Sequence, residues 1–244
     1  MIGGTALLTA IVWLHHLLGH TEFTQGGIAA ALGTQYAGQL KIIFLLLIAG
    51  VGVKAGAFGI VRIVYEVYGV EFAQSLELHC PLAILAAVAI LWGSLRALFQ
   101  DDLKLRLAYS TVSQVSYIVL GLALFGPSSG LVHLVHQGIM KVTQFFCAGN
   151  YAETLGIHKI SEMDGAGRRM PLTTLTTLAF SIGALGMMGA PLTAGAVSKA
   201  WLSDGAAATG MDWAIWVLWT SSMLNAAYFL PIFRRVWLRP TPAS

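Results

Sequence analysis

Three lysines sit inside apolar runs of this chain. Lys54 lies in LKIIFLLLIAGVGVKAGAFGIVRIVYEVYG, Lys141 in SSGLVHLVHQGIMKVTQFFCAGNY and Lys199 in MMGAPLTAGAVSKAWL. An ammonium at the centre of a membrane helix costs about 2.5–3.5 kcal/mol even on lenient insertion scales, so a lysine kept there points to use, and the use it suits is a path for protons or ions. The run around Lys141 adds partners. His133, Gln137, Lys141 and Gln144 recur at helical spacing and share one face of a helix, and His136 borders that face. A histidine changes charge near neutral pH. A row of histidine, amide, lysine and amide, with water between its members, can pass protons. The competing reading is polar glue between helices, and four polar groups on one face exceed what packing needs.

The elements that must hold these residues are membrane helices. The chain has 244 residues, 57% hydrophobic and 10% charged, with a mean hydropathy of +0.74. Soluble domains carry about 25% charged residues, so this composition is that of an integral membrane protein. A span needs about 20 mostly apolar residues, and seven are predicted, near 2–18, 40–61, 80–99, 107–126, 130–152, 172–202 and 212–233. The barrel pattern of short alternating segments is absent, which leaves an all-α, multi-pass transmembrane bundle. The sixth span holds Gly183, Gly186, Gly189, Pro191 and Gly195 near its middle. Pro191 lacks an N–H and clashes with the preceding turn, so a discontinuous helix is predicted there, with Lys199 eight residues on. Broken membrane helices expose half-helix ends that line ion sites.

Loop charges give an orientation. Arg96, Lys104 and Arg106 follow span three; Lys159, Arg168 and Arg169 follow span five; Arg234, Arg235 and Arg239 follow span seven. These regions fall on one side if every span crosses once, and the positive-inside rule makes that side, with the C-terminus, cytoplasmic. The first 70 residues fit less well, because the loop 19–39 has no basic residue. The chain begins directly in an apolar stretch without a signal peptide, as if its start were truncated.

Function classes fall away in turn. The net charge of +3 is small and its basic residues gather in loops, so no nucleic-acid partner is expected. A phosphate-binding glycine loop, a CxxC pair and a nucleophile elbow are all missing from the sequence. Cys80 and Cys147 read as packing residues. No cofactor or metal is expected at His133 and His136, which lack ligand partners at suitable spacing.

The stretch DDLKLRLAYSTVSQVSYIVLGLAL at 101–124 resembles a signature of the antiporter-like membrane subunits of respiratory complex I. That family is shared with membrane subunits of the multisubunit sodium/proton antiporters and of energy-converting hydrogenases. HLVHQGIMKVTQFFCAGNYAETLG at 133–156 is similar to its histidine- and lysine-bearing helix. EMDGAGRRMPLTTLTTLAFSIGALGMMGAPLTAGAVSKAWL at 162–202 is similar to its broken helix, and VKAGAFGIVR at 53–62 to a central lysine helix. The resemblance covers roughly residues 40–238. It implies a proton- or cation/proton-translocating subunit of a complex I-like or multisubunit antiporter complex. Its partners would be other membrane subunits, the lipid bilayer, protons and, in the antiporter branch, sodium. The setting would be the inner membrane of a prokaryotic cell, and any NADH:quinone oxidoreductase redox step would belong to partner subunits. Lys54, Lys141 and Lys199 would be its central, relay and exit lysines, with His133, His136 and Gln137 along the path. Many members carry a histidine where this chain has Gln137. Members also have about fourteen spans and a linker between two lysine helices. Residues 1–244 therefore read as a single transmembrane domain without the N-terminal part and internal linker of the full-length family, with Lys54 at the junction. Two alternatives accompany this reading: a sodium/proton antiporter subunit without redox coupling, and a non-transporting structural or degenerate subunit.

Overall fold

The computed structural model describes residues 12–14, 16–18, 32, 34–49, 55–124, 127–169 and 171–241. Their regular structure is helical: α1 (Ala37–Ala49), α2 (Ala55–Arg62), α3 (Val70–Ser75), α4 (His79–Leu98), α5 (Leu103–Ala123), α6 (Pro127–Leu155), α7 (Pro171–Met188), α8 (Ala194–Ala208) and α9 (Asp212–Phe233). Wider π-helical turns continue α2 over Ile63–Tyr68 and α9 over Arg234–Leu238. α5 lies between α4 and α6, α6 also meets α7 and α8, and α9 packs along α4, α7 and α8. Among the described residues, two helices are long and apolar enough to cross a membrane by length and composition, His79–Leu98 and Asp212–Leu238. α5 and α6 have the length, at 21 and 29 residues, but carry buried polar side chains. The outside of the bundle is apolar: Val88, Phe146, Ile182 and Trp216 are 61–76% exposed. A surface of that kind suits lipid, where packing of small residues and buried polar contacts hold helices together.

Local chemistry sets the helix ends. Asp102 opens α5 by accepting from Leu105 N at 2.8 Å, and Thr193 opens α8 by accepting from Ala196 N at 3.3 Å. α7 closes in a Schellman turn. Gly189 takes a φ of +81°, Ala190 N donates to Leu185 O at 3.0 Å and Gly189 N to Gly186 O at 3.1 Å. These bonds satisfy two of the four carbonyls left over at a helix C-terminus and leave those of Met187 and Met188 for other donors. Beyond the turn α8 crosses back against α7 so closely that a Cβ on Gly195 would stand 1.7 Å from Gly186 O.

One end of the bundle is tied by polar contacts. Asp101 accepts from Ser161 N at 3.0 Å and from its hydroxyl at 2.7 Å, and Arg235 donates to Ser161 O at 2.9 Å. The loops after α4 and α6 and the end of α9 therefore lie together. Asp164 pairs with Arg235 and Arg239 at 3.0 and 3.1 Å. Burial pushes the Asp164 carboxyl up, but the hydrogen bond and charge of Arg239, joined by those of Arg235, outweigh it and hold the group below the usual carboxylate range. Arg106 differs from its sequence reading as a loop charge. It lies inside α5, only 8% exposed, and donates to Leu98 O, Gln100 O and Tyr228 O, closing the C-terminus of α4. Its guanidinium ties carbonyls at the end of α4 to one within α9, so it acts in packing.

Two apolar clusters fill the interior. One gathers Leu82, Ala86 and Ile90 of α4, Tyr117, Leu120 and Ala123 of α5 and Ala214 and Leu218 of α9; the other gathers Leu103 and Leu107 of α5, Phe180 and Ala184 of α7 and Tyr228, Phe229 and Ile232 of α9. Between them the same helices turn polar. Ser94, Ser110, Ser113, Gln114, Ser221 and Asn225 are fully buried at the levels the clusters skip.

Candidate functional site

Lys141 enters this polar layer from the middle of α6. It is fully buried, and its Nζ donates to Ser110 Oγ at 2.7 Å and lies 5.9 Å from the centre of the Phe229 ring. Ser110 Oγ is 2.7 Å from the Tyr228 hydroxyl, which donates to Asn225 Oδ1 at 2.7 Å. Asn225 Nδ2 donates to Met187 O at 3.1 Å.

Lys199 reaches the same carbonyl from the other side. Its Nζ donates to Met187 O at 2.8 Å, Met188 O at 3.3 Å and Ser222 Oγ at 2.9 Å. The Schellman turn had left those two carbonyls open, and the partial negative charge of a helix C-terminus favours a cation there. Three N–H groups thus meet three acceptors. The neutral amine fits equally: two N–H groups stay on the carbonyls while Ser222 turns its hydrogen from Leu218 O, 2.8 Å away, to the nitrogen lone pair. A cavity of about 250 Å³, lined by Gly189, Ala200, Ser203, Trp219 and Ser222, adjoins Lys199.

His133 has a comparable pair of states. Its Nδ1 lies 2.9 Å from Ser198 Oγ and its Nε2 lies 3.2 Å from Gln114 Oε1. The neutral ring donates from Nε2 and accepts at Nδ1 from the serine. Ser198 also has Gly195 O at 3.2 Å. With its hydrogen turned there, the serine accepts from Nδ1–H and the imidazolium is satisfied at both nitrogens. Tyr117 stacks on His133 at 5.2 Å between centroids and stands 5.5 Å from Lys199 Nζ.

The structure brings His133, Gln137, Lys141 and Gln144 onto the buried face of α6, with Lys199 across from them and His136 half-buried beside them. Lys54 lies outside the described residues. Several buried polar atoms have no protein partner: Gln114 Nε2, His136 Nδ1, Gln137 Oε1 and both ends of the Gln144 amide. Such valences are normally met by buried water, which also joins groups too far apart to touch.

Sequence reading had passed over Ser110, Gln114 and Tyr117 on α5 and Ser221, Asn225 and Tyr228 on α9. Their signal was present: both triplets recur at i, i+4, i+7, the same spacing that singled out α6.

Known proteins match this architecture. NADH-quinone oxidoreductase subunit N of Desulforudis audaxviator is 37% identical over 204 residues, which are 81% of this chain and 39% of that protein. A chain of the membrane-bound sulfane sulfur reductase, an archaeal respiratory membrane complex, superposes with a TM-score of 0.85 at 25% identity, over 97% of this chain and 54% of that one. A chain of the Mrp complex from Dietzia sp. superposes with a TM-score of 0.84 over 99% of this chain and 50% of that one, and at 23% identity this is a likeness of fold. This chain thus spans well under two thirds of each. Residues 42–225 match the family described as NADH:quinone oxidoreductase/Mrp antiporter, TM, and the chain belongs to that family of membrane proteins.

Proposed function

We propose that this chain is a proton- or cation/proton-translocating membrane subunit in which His133, Lys141 and Lys199 exchange protons along the polar layer. The observation that carries this reading is the pair of serine rotors, Ser198 and Ser222. Each lets a buried base, His133 or Lys199, be satisfied in both protonation states by one hydroxyl rotation. A group that is merely structural needs a fit to one state only. Gln137 and Gln144 supply open amide valences beside Lys141, and His136 an open ring nitrogen, where water would complete the route. Lys54 is the third lysine of the path by resemblance.

In this reading seven helical spans cross the bilayer and α7 and α8 are halves of one broken helix at Pro191. The tied end with its arginines faces the cytoplasm of a prokaryotic cell, and the C-terminus lies on that side. Residues 1–244 act as a single transmembrane domain. It works beside other membrane subunits, which carry out any redox step.

The test is proton flux in vesicles holding the assembled complex, with Lys141→Met and Lys199→Met. Methionine matches the length of the lysine stem, and Ser110, Ser222 and Met187 O each keep a second partner, so the variants are expected to assemble and to lose most of the flux. Flux at the unsubstituted level in both would leave only a structural role. Repeating the measurement with and without sodium separates sodium/proton exchange from proton transport alone.

A further inference from the structure

The bonded path from Lys141 to Lys199 is continuous, and its direction is forced. A backbone carbonyl can only accept, so Met187 O fixes the Asn225 amide with Nδ2 toward it and Oδ1 toward Tyr228. Asn225 Oδ1 can only accept, so the Tyr228 hydroxyl must donate its one hydrogen there. Tyr228 then has only lone pairs left for Ser110, whose hydroxyl must donate to it, and Ser110 in turn must accept from Lys141. One carbonyl therefore orders every hydrogen in the row.

The row has a link that conducts no protons. Ser110 and Tyr228 are hydroxyls that can accept one hydrogen and release another. Asn225 cannot: onward passage would demand that its amide nitrogen give up a hydrogen to a peptide carbonyl, and neither group is an acid or base of useful strength. The row does transmit polarisation, because hydrogen bonds in a chain strengthen one another. At its far end Asn225 Nδ2 and Lys199 Nζ share Met187 O, so a change in one donor alters what the carbonyl offers the other.

We propose that Asn225, held by Tyr228, is the coupling element between the two lysines: a positioning residue that links their charge states across α9 while blocking direct proton passage between them. This rests on the relay reading above, and it adds that protons travelling between Lys141 and Lys199 go by the α6 face and not by the α9 row. Apart from the lysines, the titratable groups facing this network among the described residues include Tyr117 from α5, His133 from α6 with His136 next to it, and Tyr228 from α9. α7 offers only its carbonyls and α4 only Ser94, bonded to Ser113 and Ser221.

The test is a double-mutant cycle read by nitrogen NMR of the lysine-labelled protein in lipid. In the unsubstituted background, Lys141→Met is expected to displace the Lys199 titration midpoint by about one pH unit. In a Tyr228→Phe background, which keeps the ring, and in an Asn225→Leu background, the same change is expected to displace it by less than about half as much. Ser94→Ala, in the polar layer but off the row, should preserve the full displacement. Undiminished coupling in both Tyr228→Phe and Asn225→Leu overturns the proposal, as does equal loss in Ser94→Ala, which would mark general loosening of the layer. The readout needs no transport, so coupling can be present while the flux experiment fails, and the two conclusions fall separately.

Discussion

Gly195→Ala is the sharpest test of how the fold positions the site. The added methyl would stand 1.7 Å from Gly186 O and 2.7 Å from Gly186 C, both backbone atoms that no rotamer change can move. A carbon and a carbonyl oxygen come no closer than about 3.3 Å even in favourable C–H···O contacts, so α8 must withdraw from α7 by about 1.6 Å at this crossing. Three residues along, Ser198 would be drawn off His133, now at 2.9 Å, and one residue further Lys199 off Met187 O, now at 2.8 Å. Overpacking costs about 1–3 kcal/mol, and each buried polar group left without its partner about 1–3 kcal/mol more. With two such contacts opened, the expected loss is about 3–9 kcal/mol, read as a lowered unfolding midpoint of the detergent-solubilised chain under denaturant. Gly138→Ala is the control, because a Cβ there meets nothing within 4 Å. A loss under about 1 kcal/mol for Gly195→Ala, where the mechanism requires overpacking, would refute the claim that this crossing sets the position of Lys199.

Two further outcomes follow from groups described above. Gln144→Leu removes the amide valences that water would fill beside Lys141 and is expected to lower proton flux in the vesicle assay with the fold retained; flux at the unsubstituted level would take Gln144 off the route. Asp164 has a depressed carboxyl, so its contribution is fully present above the ordinary carboxylate range and is lost as pH falls through the lowered value. Hydrogen-exchange protection at Gly165 N, which bonds to Arg235 O at 2.9 Å, should therefore hold from neutral pH down to about 5 and decline below it. Asp164→Asn should flatten that decline, and a protection factor that is the same at neutral and strongly acidic pH would contradict the assignment.

The helices around the site were legible because their apolar runs are long. α4 at His79–Leu98 and α9 at Asp212–Phe233 lie within a residue or so of the spans read near 80–99 and 212–233. The α6 stripe was legible for a different reason: four polar residues at helical spacing stand out against apolar neighbours, and all four are buried. The partners on α5 and α9 were harder to see because serine, asparagine and tyrosine are common in membrane helices as packing residues. Their role depends on which helix they face, and a single sequence does not carry that. Arg106 misled for a related reason. Near a helix start an arginine counts as a loop charge, and only the fold shows its guanidinium turned inward onto carbonyls at the end of α4 and within α9.

Met187 enters the site through its carbonyl, and its side chain has no part in holding either lysine. A main-chain acceptor cannot be deleted by substitution, so the chemistry at this point is insulated from drift in the residue that carries it. Vulnerability moves instead to the turn that aims the carbonyl, above all to Gly189, whose positive φ few other residues adopt without strain. In this part of the molecule the chemistry does not depend on the identity of the side chain that carries the acceptor, which serves only in packing, and it does depend on a glycine that touches no proton.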